Sequence, residues 1–290
     1  MIHKIANKTY NGHRLYRDVS VVLPDNTIRL LYKDNVTPSF TKGTATQISQ
    51  SPNIWDLTYD SGNWGHLLEG HQDLTKVLAA NLVTTNYAYG LFKDCTSLEE
   101  IKNFKSTNIT GMGHLFEGCI SLQKVPDLDY SKNTSFASMF HNCCSLQSIP
   151  YIDLSNNIGA LYYMFQGCSS ITSVALLDTS TTNDVRYMFD GCFSLKEVPL
   201  FDTSNVTIMA YMLQGCSSLS SIPLFDTSNV ARMDWAFNNC YNVGSGSLAI
   251  YQQASTQTNP PTGHYQTFRN CGVYSQTGSA ELAQIPDDWK

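Results

Sequence analysis

The chain of 290 residues is long enough to bury a sizeable core, and its hydrophobic fraction of 42 % is typical of a globular protein. Charged residues make up only 14 %, and the net charge of −6 comes without a long basic run. This composition argues against nucleic acid and anionic membrane as partners, because both are bound through clustered Lys and Arg side chains.

Residues 1–60 lie outside the repeat described below. They begin without the apolar segment of a secretory signal, and no apolar run in the chain approaches the roughly 18 residues that span a bilayer. We therefore expect no membrane insertion. Apolar runs flank the turn residues Pro24, Asp25 and Asn26, which predicts a β-hairpin over residues 19–32. The hairpin is expected to cap the first repeat, and the alternative is a segment that attaches the protein to a larger assembly.

Cysteines define a repeat that occupies residues 61–247. Three positions before each cysteine of the series stands a large apolar residue, such as Phe189, and three positions after it stands another, such as Leu195. One repeat earlier, His71 occupies the cysteine position between Leu68 and Leu74. A fixed period of this size predicts about eight stacked coils, each of which buries its apolar edge only against its neighbours. The cysteines recur at intervals of 24 or 25 residues: Cys95, Cys119, Cys143, Cys168, Cys192, Cys216 and Cys240.

Each repeat divides into two halves. In one half, apolar residues such as Val206, Met209 and Leu213 follow helical spacing, and a glycine such as Gly215 stands where a short helix would end. The other half, such as residues 218–223, predicts a short strand parallel to its neighbours. The predicted fold class is therefore an α/β solenoid of 24-residue coils, with short parallel strands on one face and short helices on the other.

Residues 248–290 are predicted to form a C-terminal cap and tail. The stretch 247–254 predicts a short amphipathic helix. Phe268 and Cys271 then repeat the spacing of the earlier repeats, which predicts one degenerate coil that closes the stack. The chain thus divides into a cap or attachment segment at 1–60, the repeats at 61–247 and the second cap at 248–290.

The repeat motif resembles that of a known family. Both 188–206 and 212–230 follow the pattern Met-(Phe/Leu)-x-Gly-Cys-x-Ser-Leu-x-x-(Val/Ile)-Pro-Leu-Phe-Asp-Thr-Ser-Asn-Val. This pattern is similar to the BspA-like leucine-rich repeats, including the variant common in Mycoplasma-type surface lipoproteins, and related repeats occur in phage-encoded tail proteins. The resemblance implies a right-handed solenoid used in surface and adhesion proteins, without catalytic residues. The chain departs from the lipoprotein pattern because it shows no signal or lipobox.

The cysteine column has a structural and a chemical interpretation. Metal or redox chemistry would require a Cys-x-x-Cys motif or a histidine at ligand spacing, and the sequence contains neither. We therefore predict a column of buried thiols that act as small hydrophobic groups. The odd total of nine cysteines argues against complete disulfide pairing, so the thiols are expected to be free. No metal and no cofactor is predicted.

A column of aspartates also has two interpretations. A calcium-binding ladder is one, since stacked aspartates bind Ca²⁺ in some repeat proteins. A row of turns is the other and is favoured, because the Asp-x-Ser pattern can satisfy backbone amides without a metal. The histidines form no recognisable catalytic motif, so an enzyme is not predicted. The column comprises Asp129, Asp153, Asp178, Asp202 and Asp226, each with Ser two residues later.

Two further columns are the candidate ligand-binding residues. One stands five residues before the cysteine and becomes aromatic in the last four repeats, as Tyr163, Tyr187, Tyr211 and Trp235. The other stands eight residues after the cysteine, as Tyr151, Leu176, Leu200 and Leu224. Aromatic rings with a polar group are favoured at protein interfaces and for stacking on sugars. The alternative is that the rings only cover gaps between repeats.

We therefore predict a non-enzymatic recognition module that binds a protein or glycan receptor at a cell surface, either as an adhesin or in a phage tail. The alternative is a purely structural virion or assembly protein that packs through its solenoid, as a homo-oligomer or in a larger assembly. Both roles favour a virion or extracellular surface over the cytoplasm.

Overall fold

The computed structural model describes residues 9–10, 13–14 and 22–290. Two strands form a separate pair, six strands form one sheet, and the helices lie near the C-terminus. No helix in this part of the chain is long and apolar enough to cross a membrane. The elements are β1 (Thr9–Tyr10), β2 (His13–Arg14), β3 (Thr27–Tyr32), β4 (Thr44–Gln50), β5 (Asn53–Thr58), β6 (Leu74–Asn81), β7 (Glu100–Ile101), β8 (Phe104–Lys105), α1 (Ser247–Thr256), α2 (Gln276–Leu282) and a 3-10 helix (Asp287–Trp289).

The N-terminal sheet is continuous with the first repeats. Its order is β4-β5-β3-β6-β7, and β8 also pairs with β6. Strands β3 to β6 pair antiparallel, whereas β6 pairs parallel with β7 and β8. Strand β6 therefore joins an antiparallel sheet to the parallel stack of repeats, and Ile28 and Leu30 of β3 pack into the shared core.

The hairpin predicted over residues 19–32 is wrong in its pairing. Residues 19–21 lie outside the described residues, and Val22 and Leu23 form no strand. Strand β3 pairs with β5 along one edge and with β6 along the other. A strand has only two edges, so none remains for the residues before the turn. The true partners lie farther along the chain, where a local turn pattern gives no information about them.

Backbone hydrogen bonds connect each repeat to the next in a regular alternation. The N–H groups of Tyr187 and Phe189 donate to the carbonyl groups of Ala210 and Met212 in the following repeat. The N–H group of Met188, which lies between them, donates three residues back within its own repeat. Because every second amide is used by the neighbour, equivalent residues of successive repeats lie in columns.

The short helices predicted in each repeat are absent from residues 61–246, all of which the structure describes. The segments are runs of turns with two residues of positive φ per repeat, such as Tyr187 at 57° and Gly191 at 72°. An α-helix needs consecutive hydrogen bonds to the fourth residue back, and the alternating bonds to the next repeat prevent this. The predicted strands are likewise reduced in most repeats to single parallel bridges, such as Ile149 with Val174. The helix predicted over 247–254 is present as α1.

One repeat accommodates an extra residue without shifting the columns. The N–H group of Ile158 donates to the carbonyl group of Thr134, 24 residues earlier. The N–H group of Asn183 donates to the carbonyl group of Gly159, also 24 residues earlier. The extra residue of the 25-residue step therefore lies at Ile158–Gly159. Ile158 is 79 % exposed, and Gly159 has φ 103°, a conformation that favours glycine. The insertion is expelled to the surface as a local bulge.

Phenylalanines and cysteines form the inner columns of the stack. Successive rings such as Phe140, Phe165 and Phe189 stack with centroids 5.6 Å apart. Each cysteine of the repeat is fully buried. Its Sγ donates to a carbonyl of the preceding repeat, as from Cys192 to Phe165 at 3.2 Å. The thiol therefore fills space as a small hydrophobic group while its weak donor is satisfied.

The C-terminal end of the stack is covered. The ring of Phe268 stacks on Phe237 with centroids 5.4 Å apart, which extends the inner phenylalanine column by one degenerate repeat. Trp289 lies over His264 at 4.4 Å. The indole of Trp289 is 5 % exposed, so it closes the apolar end that the last repeat would otherwise leave open.

All nine cysteines are free, and Cys144 is the one that is not buried. Burial raises the pKa of the Cys95 thiol to about 12, which further suppresses its reactivity. We expect iodoacetamide to modify the native protein at Cys144 alone and all nine cysteines after denaturation without reductant, as counted by mass spectrometry. In a Cys144→Ser variant the native reaction should disappear. Fewer than nine modified sites in the denatured wild-type chain would contradict the free thiols.

Candidate functional site

The aromatic ladder is the column of Tyr163, Tyr187, Tyr211 and Trp235, one residue from each of four successive repeats. Its rings stack with centroid distances of 4.7, 4.3 and 5.9 Å and interplanar angles of 16, 10 and 4°. Tyr265 ends the ladder with an edge contact to Trp235 at 5.7 Å. All four ladder side chains are half-buried. Since both faces of Tyr187 and Tyr211 are covered, their exposed surface is ring edge and hydroxyl.

The backbone of the aromatic ladder is in the left-handed region. The φ angles of its four residues are 57–61°, and Gly90 has φ 60° at the same position of an earlier repeat. Bulky residues rarely adopt this conformation, which costs about 1–2 kcal/mol per residue. Each stacked pair contributes about 0.5–1.5 kcal/mol in addition to the ring area that it buries, so stacking and burial compensate the strain. Glycine meets the same backbone requirement without strain, as Gly90 does, so the backbone conformation does not require the rings.

The hydroxyl of Tyr187 remains a hydrogen-bond donor over a wide pH range. Partial burial, together with the neighbouring hydroxyls of Tyr211 and Tyr163, raises the pKa of Tyr187 to about 12. The neutral phenol can therefore donate as well as accept a hydrogen bond at any physiological pH.

Rings also occur towards the N-terminal end of the same face. Tyr89 stands one position before Gly90, and its ring lies between His66 and His114 at centroid distances of 5.5 and 4.7 Å. Tyr87 stacks on Tyr89 at 5.9 Å. The column pattern does not reveal Tyr89, because it is displaced by one residue from the aromatic position. The one signal in the sequence is Gly90, which occupies the aromatic position and is directly preceded by a tyrosine.

Between these two groups of rings lies a charged cluster centred on Glu117. Its carboxylate is hydrogen-bonded to His114, and it lies 3.4 Å from Nζ of Lys93 and 3.6 Å from Nδ1 of His141. Partial burial opposes ionisation of Glu117, but the hydrogen bond with His114 and the nearby side chains of Lys93 and His141 lower its pKa overall. The described residues contain no group of three or more His, Cys, Asp or Glu side chains placed to hold a metal ion.

The apolar ladder is the second predicted column: Tyr151, Leu176, Leu200 and Leu224. Its side chains are 54–63 % exposed. Tyr151, Leu176 and Leu200 line a shallow groove of about 320 Å³ that no ring of the aromatic ladder lines, so the two predicted columns form separate surfaces. The residue after each one is buried, because neighbouring residues of an extended chain point to opposite sides. Those buried residues are Ile152, Leu177, Phe201 and Phe225.

The aspartate column forms a row of turns beside the apolar ladder. In each repeat the Oδ1 atom accepts the N–H group of the serine two residues later, at 2.8–3.1 Å. Hydrogen bonds from the serine hydroxyl, and secondly from this N–H group, lower the pKa of Asp129, Asp178 and Asp202, which favours the ionised carboxylates at neutral pH. The turns account for the Asp-x-Ser pattern without a metal ion.

The sequence matches one protein family along most of the repeats. Residues 85–197 and 159–259 match the family described as "Mycoplasma protein of unknown function, DUF285". Together the two matches span 85–259, which is more than half of the 290 residues. The chain belongs to this family. The predicted BspA-like leucine-rich-repeat family is thereby confirmed. No curated protein matches the sequence of this family member.

Three solved bacterial structures are similar to the chain, and all are leucine-rich-repeat proteins. The T. pallidum protein TpLRR is 18 % identical with a TM-score of 0.36, over 53 % of this chain and 69 % of that one. The Eubacterium ventriosum protein is 16 % identical with a TM-score of 0.40, over 69 % of this chain and 46 % of that one. The Bacteroides ovatus protein is 14 % identical with a TM-score of 0.22, over 99 % of this chain and 98 % of that one.

The aspartate turns predict a specific loss of stability in acid. A carboxylate whose pKa is lowered by folding stabilises the native state above its unfolded pKa of about 3.9. This contribution is lost as the pH falls through the lower native value. We expect the melting temperature of the wild type to fall more steeply below about pH 4 than that of the triple variant Asp129→Asn/Asp178→Asn/Asp202→Asn, because the amide oxygen still accepts the serine N–H but does not titrate.

Calcium provides the control for the same turns. The melting temperature at neutral pH should be equal in Ca²⁺ and in EDTA for both proteins. A rise of several degrees with Ca²⁺ in the wild type alone would contradict the turn interpretation and favour the calcium ladder.

Proposed function

We propose that this protein is a non-enzymatic recognition module that binds a protein partner through the aromatic ladder. The observation that carries the proposal is the placement of Tyr163, Tyr187, Tyr211 and Trp235 in left-handed backbone, at a position where an earlier repeat has glycine. Backbone strain that is retained at bulky residues, where glycine would relieve it, points to function. Leucine-rich-repeat proteins generally serve as protein-interaction modules, which supports the same conclusion.

The stacking geometry favours a protein over a glycan as the ligand. A sugar ring binds to the open face of an aromatic ring, and the faces of Tyr187 and Tyr211 are covered by their neighbours. The ring edges and hydroxyls that remain are suited to the mixed apolar and hydrogen-bonding contacts of protein interfaces, in which Tyr and Trp are enriched.

The proposal includes the shape that displays the ladder. We infer a right-handed solenoid of about eight coils, capped by the segments at 1–60 and 248–290. Parallel bridges at steps of 24 residues, such as those linking Ala160, Asp184, Ile208 and Arg232, support the stacking. Crossover connections between parallel strands are right-handed in about 98 % of cases, which supports the hand.

The proposed site of action is a cell or virion surface. Support comes from the resemblance of the repeats to those of bacterial surface proteins. An adhesin and a phage-tail protein would use the ladder in the same way, as a rigid and extended contact surface.

A double variant tests the ladder. In Tyr187→Gly/Tyr211→Gly the rings are removed and the left-handed backbone is retained without strain, so we expect the melting temperature to change by only a few degrees. Peptides would be selected from a phage-displayed random library on the wild-type protein and then measured on this variant. Most should bind it at least tenfold more weakly, because a central interfacial aromatic supplies about 2 kcal/mol.

Phe193→Ala is the matched control, because Phe193 is an exposed ring outside both ladders. This variant should bind the selected peptides as the wild type does. Selected peptides that bind Tyr187→Gly/Tyr211→Gly as tightly as the wild type would contradict the proposed protein partner. Binding to a glycan array that is lost in this variant would also contradict it.

A further inference from the structure

The apolar ladder is not part of the core and needs another explanation. Leu176, Leu200 and Leu224 are 59, 60 and 54 % exposed in three successive repeats. The core at this level is already filled by the residues that follow them, such as Phe201, which is 2 % exposed. Isolated exposed leucines are ordinary, but a continuous row of them is typical of an interaction surface.

Carboxylates lie beside the apolar ladder on the same side of the chain. Each ladder residue is followed two positions later by an aspartate, and such residues share one side of an extended segment. One oxygen of each carboxylate accepts the serine N–H, and no Lys or Arg among the described residues pairs with any of the four. The four residues are Asp153, Asp178, Asp202 and Asp226.

The surrounding segments leave this negative charge uncompensated. Residues 150–160, 175–183, 199–207 and 223–231 contain no Lys, Arg or His. The surface is therefore a row of apolar side chains bordered by a row of carboxylates. Nucleic acid and anionic lipid would be repelled by it. A second copy would face it with the same carboxylates and a net charge of −6.

The spacing of the repeats selects the conformation of the partner. Equivalent residues of neighbouring repeats are about 4.8 Å apart, as in adjacent strands. Apolar side chains on one face of an α-helix recur once per turn, at about 5.4 Å, so four of them stay within about 2 Å of register with four repeats. Side chains on one face of a strand recur at about 6.8 Å, so they are displaced by about 2 Å after one step and by about 6 Å after three.

We propose that the apolar ladder and its aspartates form a second docking surface, separate from the aromatic ladder, for a cationic amphipathic α-helix of a partner protein. The helix lies along the stack with one apolar residue per turn against Leu176, Leu200 and Leu224. Lys or Arg side chains beside its apolar stripe pair with Asp178 and Asp202. This surface requires no contribution from Tyr187 or Tyr211.

The test uses designed helical peptides of about 18 residues as probes, which is about five turns. The first peptide carries leucine once per turn and lysine elsewhere, the second replaces lysine with glutamate, and the third scrambles the first. Fluorescence anisotropy at low and moderate salt should show that the full-length protein binds the first peptide at least tenfold more tightly than either of the others. Equal binding of the scrambled or the acidic peptide would overturn the proposal.

Variants of the protein then locate the binding. Leu176→Ser/Leu200→Ser should weaken binding of the first peptide at least tenfold, as expected for central apolar contacts. Asp178→Asn/Asp202→Asn preserves the serine turns and should weaken binding severalfold, with a smaller dependence on salt. The matched controls are Val22→Ser/Ile48→Ser, which removes two exposed apolar residues elsewhere, and Asp60→Asn/Asp288→Asn, which removes two exposed charges elsewhere. Both controls should bind as the wild type does.

Two further outcomes keep this proposal distinct from the proposed function. Tyr187→Gly/Tyr211→Gly should bind the leucine–lysine peptide normally, even if it loses the library-selected peptides. Analytical sedimentation should show that the wild type does not dimerise through this surface. A wild-type dimer that dissociates in Leu176→Ser/Leu200→Ser would identify a second copy of the chain as the occupant and overturn the proposal.

Discussion

Hydrogen bonds between the backbones of neighbouring repeats determine the geometry of this protein. Every second amide before each cysteine donates to the next repeat, as from Phe189 to Met212, and the amides between them close tight turns. Equivalent residues are consequently placed one above another. Even the extra residue of one repeat is displaced to the surface at Ile158 rather than allowed to shift the columns.

This stacking gives each column a single environment and therefore a single physical role. The inner columns hold phenylalanine rings and thiols that are completely buried, as at Phe165 and Cys192. In the aspartates beside the apolar ladder, one carboxylate oxygen accepts the serine N–H of the turn. Their charge gives this surface its negative potential. Charged residues are scarce in this protein, so few basic side chains lie near enough to neutralise the row of aspartates.

The aromatic ladder shows how the same geometry constrains a surface. The turn requires positive φ, which favours glycine, yet Tyr187 and Tyr211 occupy it and recover the strain through stacking on each other. Stacking in turn covers the ring faces and leaves edges and hydroxyls outside. The column spacing therefore decides which chemistry the rings can offer to a partner.

The sequence by itself determined the period, the inner columns, the aspartate turns and the family, because a residue such as Cys192 recurs with its whole environment in every repeat. It also identified the rings and leucines of the two ladders. Tertiary structure alone decided that β3 pairs with β5 and β6, that the turns are not helices, and that Tyr89 extends the aromatic face. These features depend on which backbone groups are taken by residues distant in the chain. A periodic pattern places residues in columns, but only the competition for those hydrogen bonds decides the conformation that each residue adopts there.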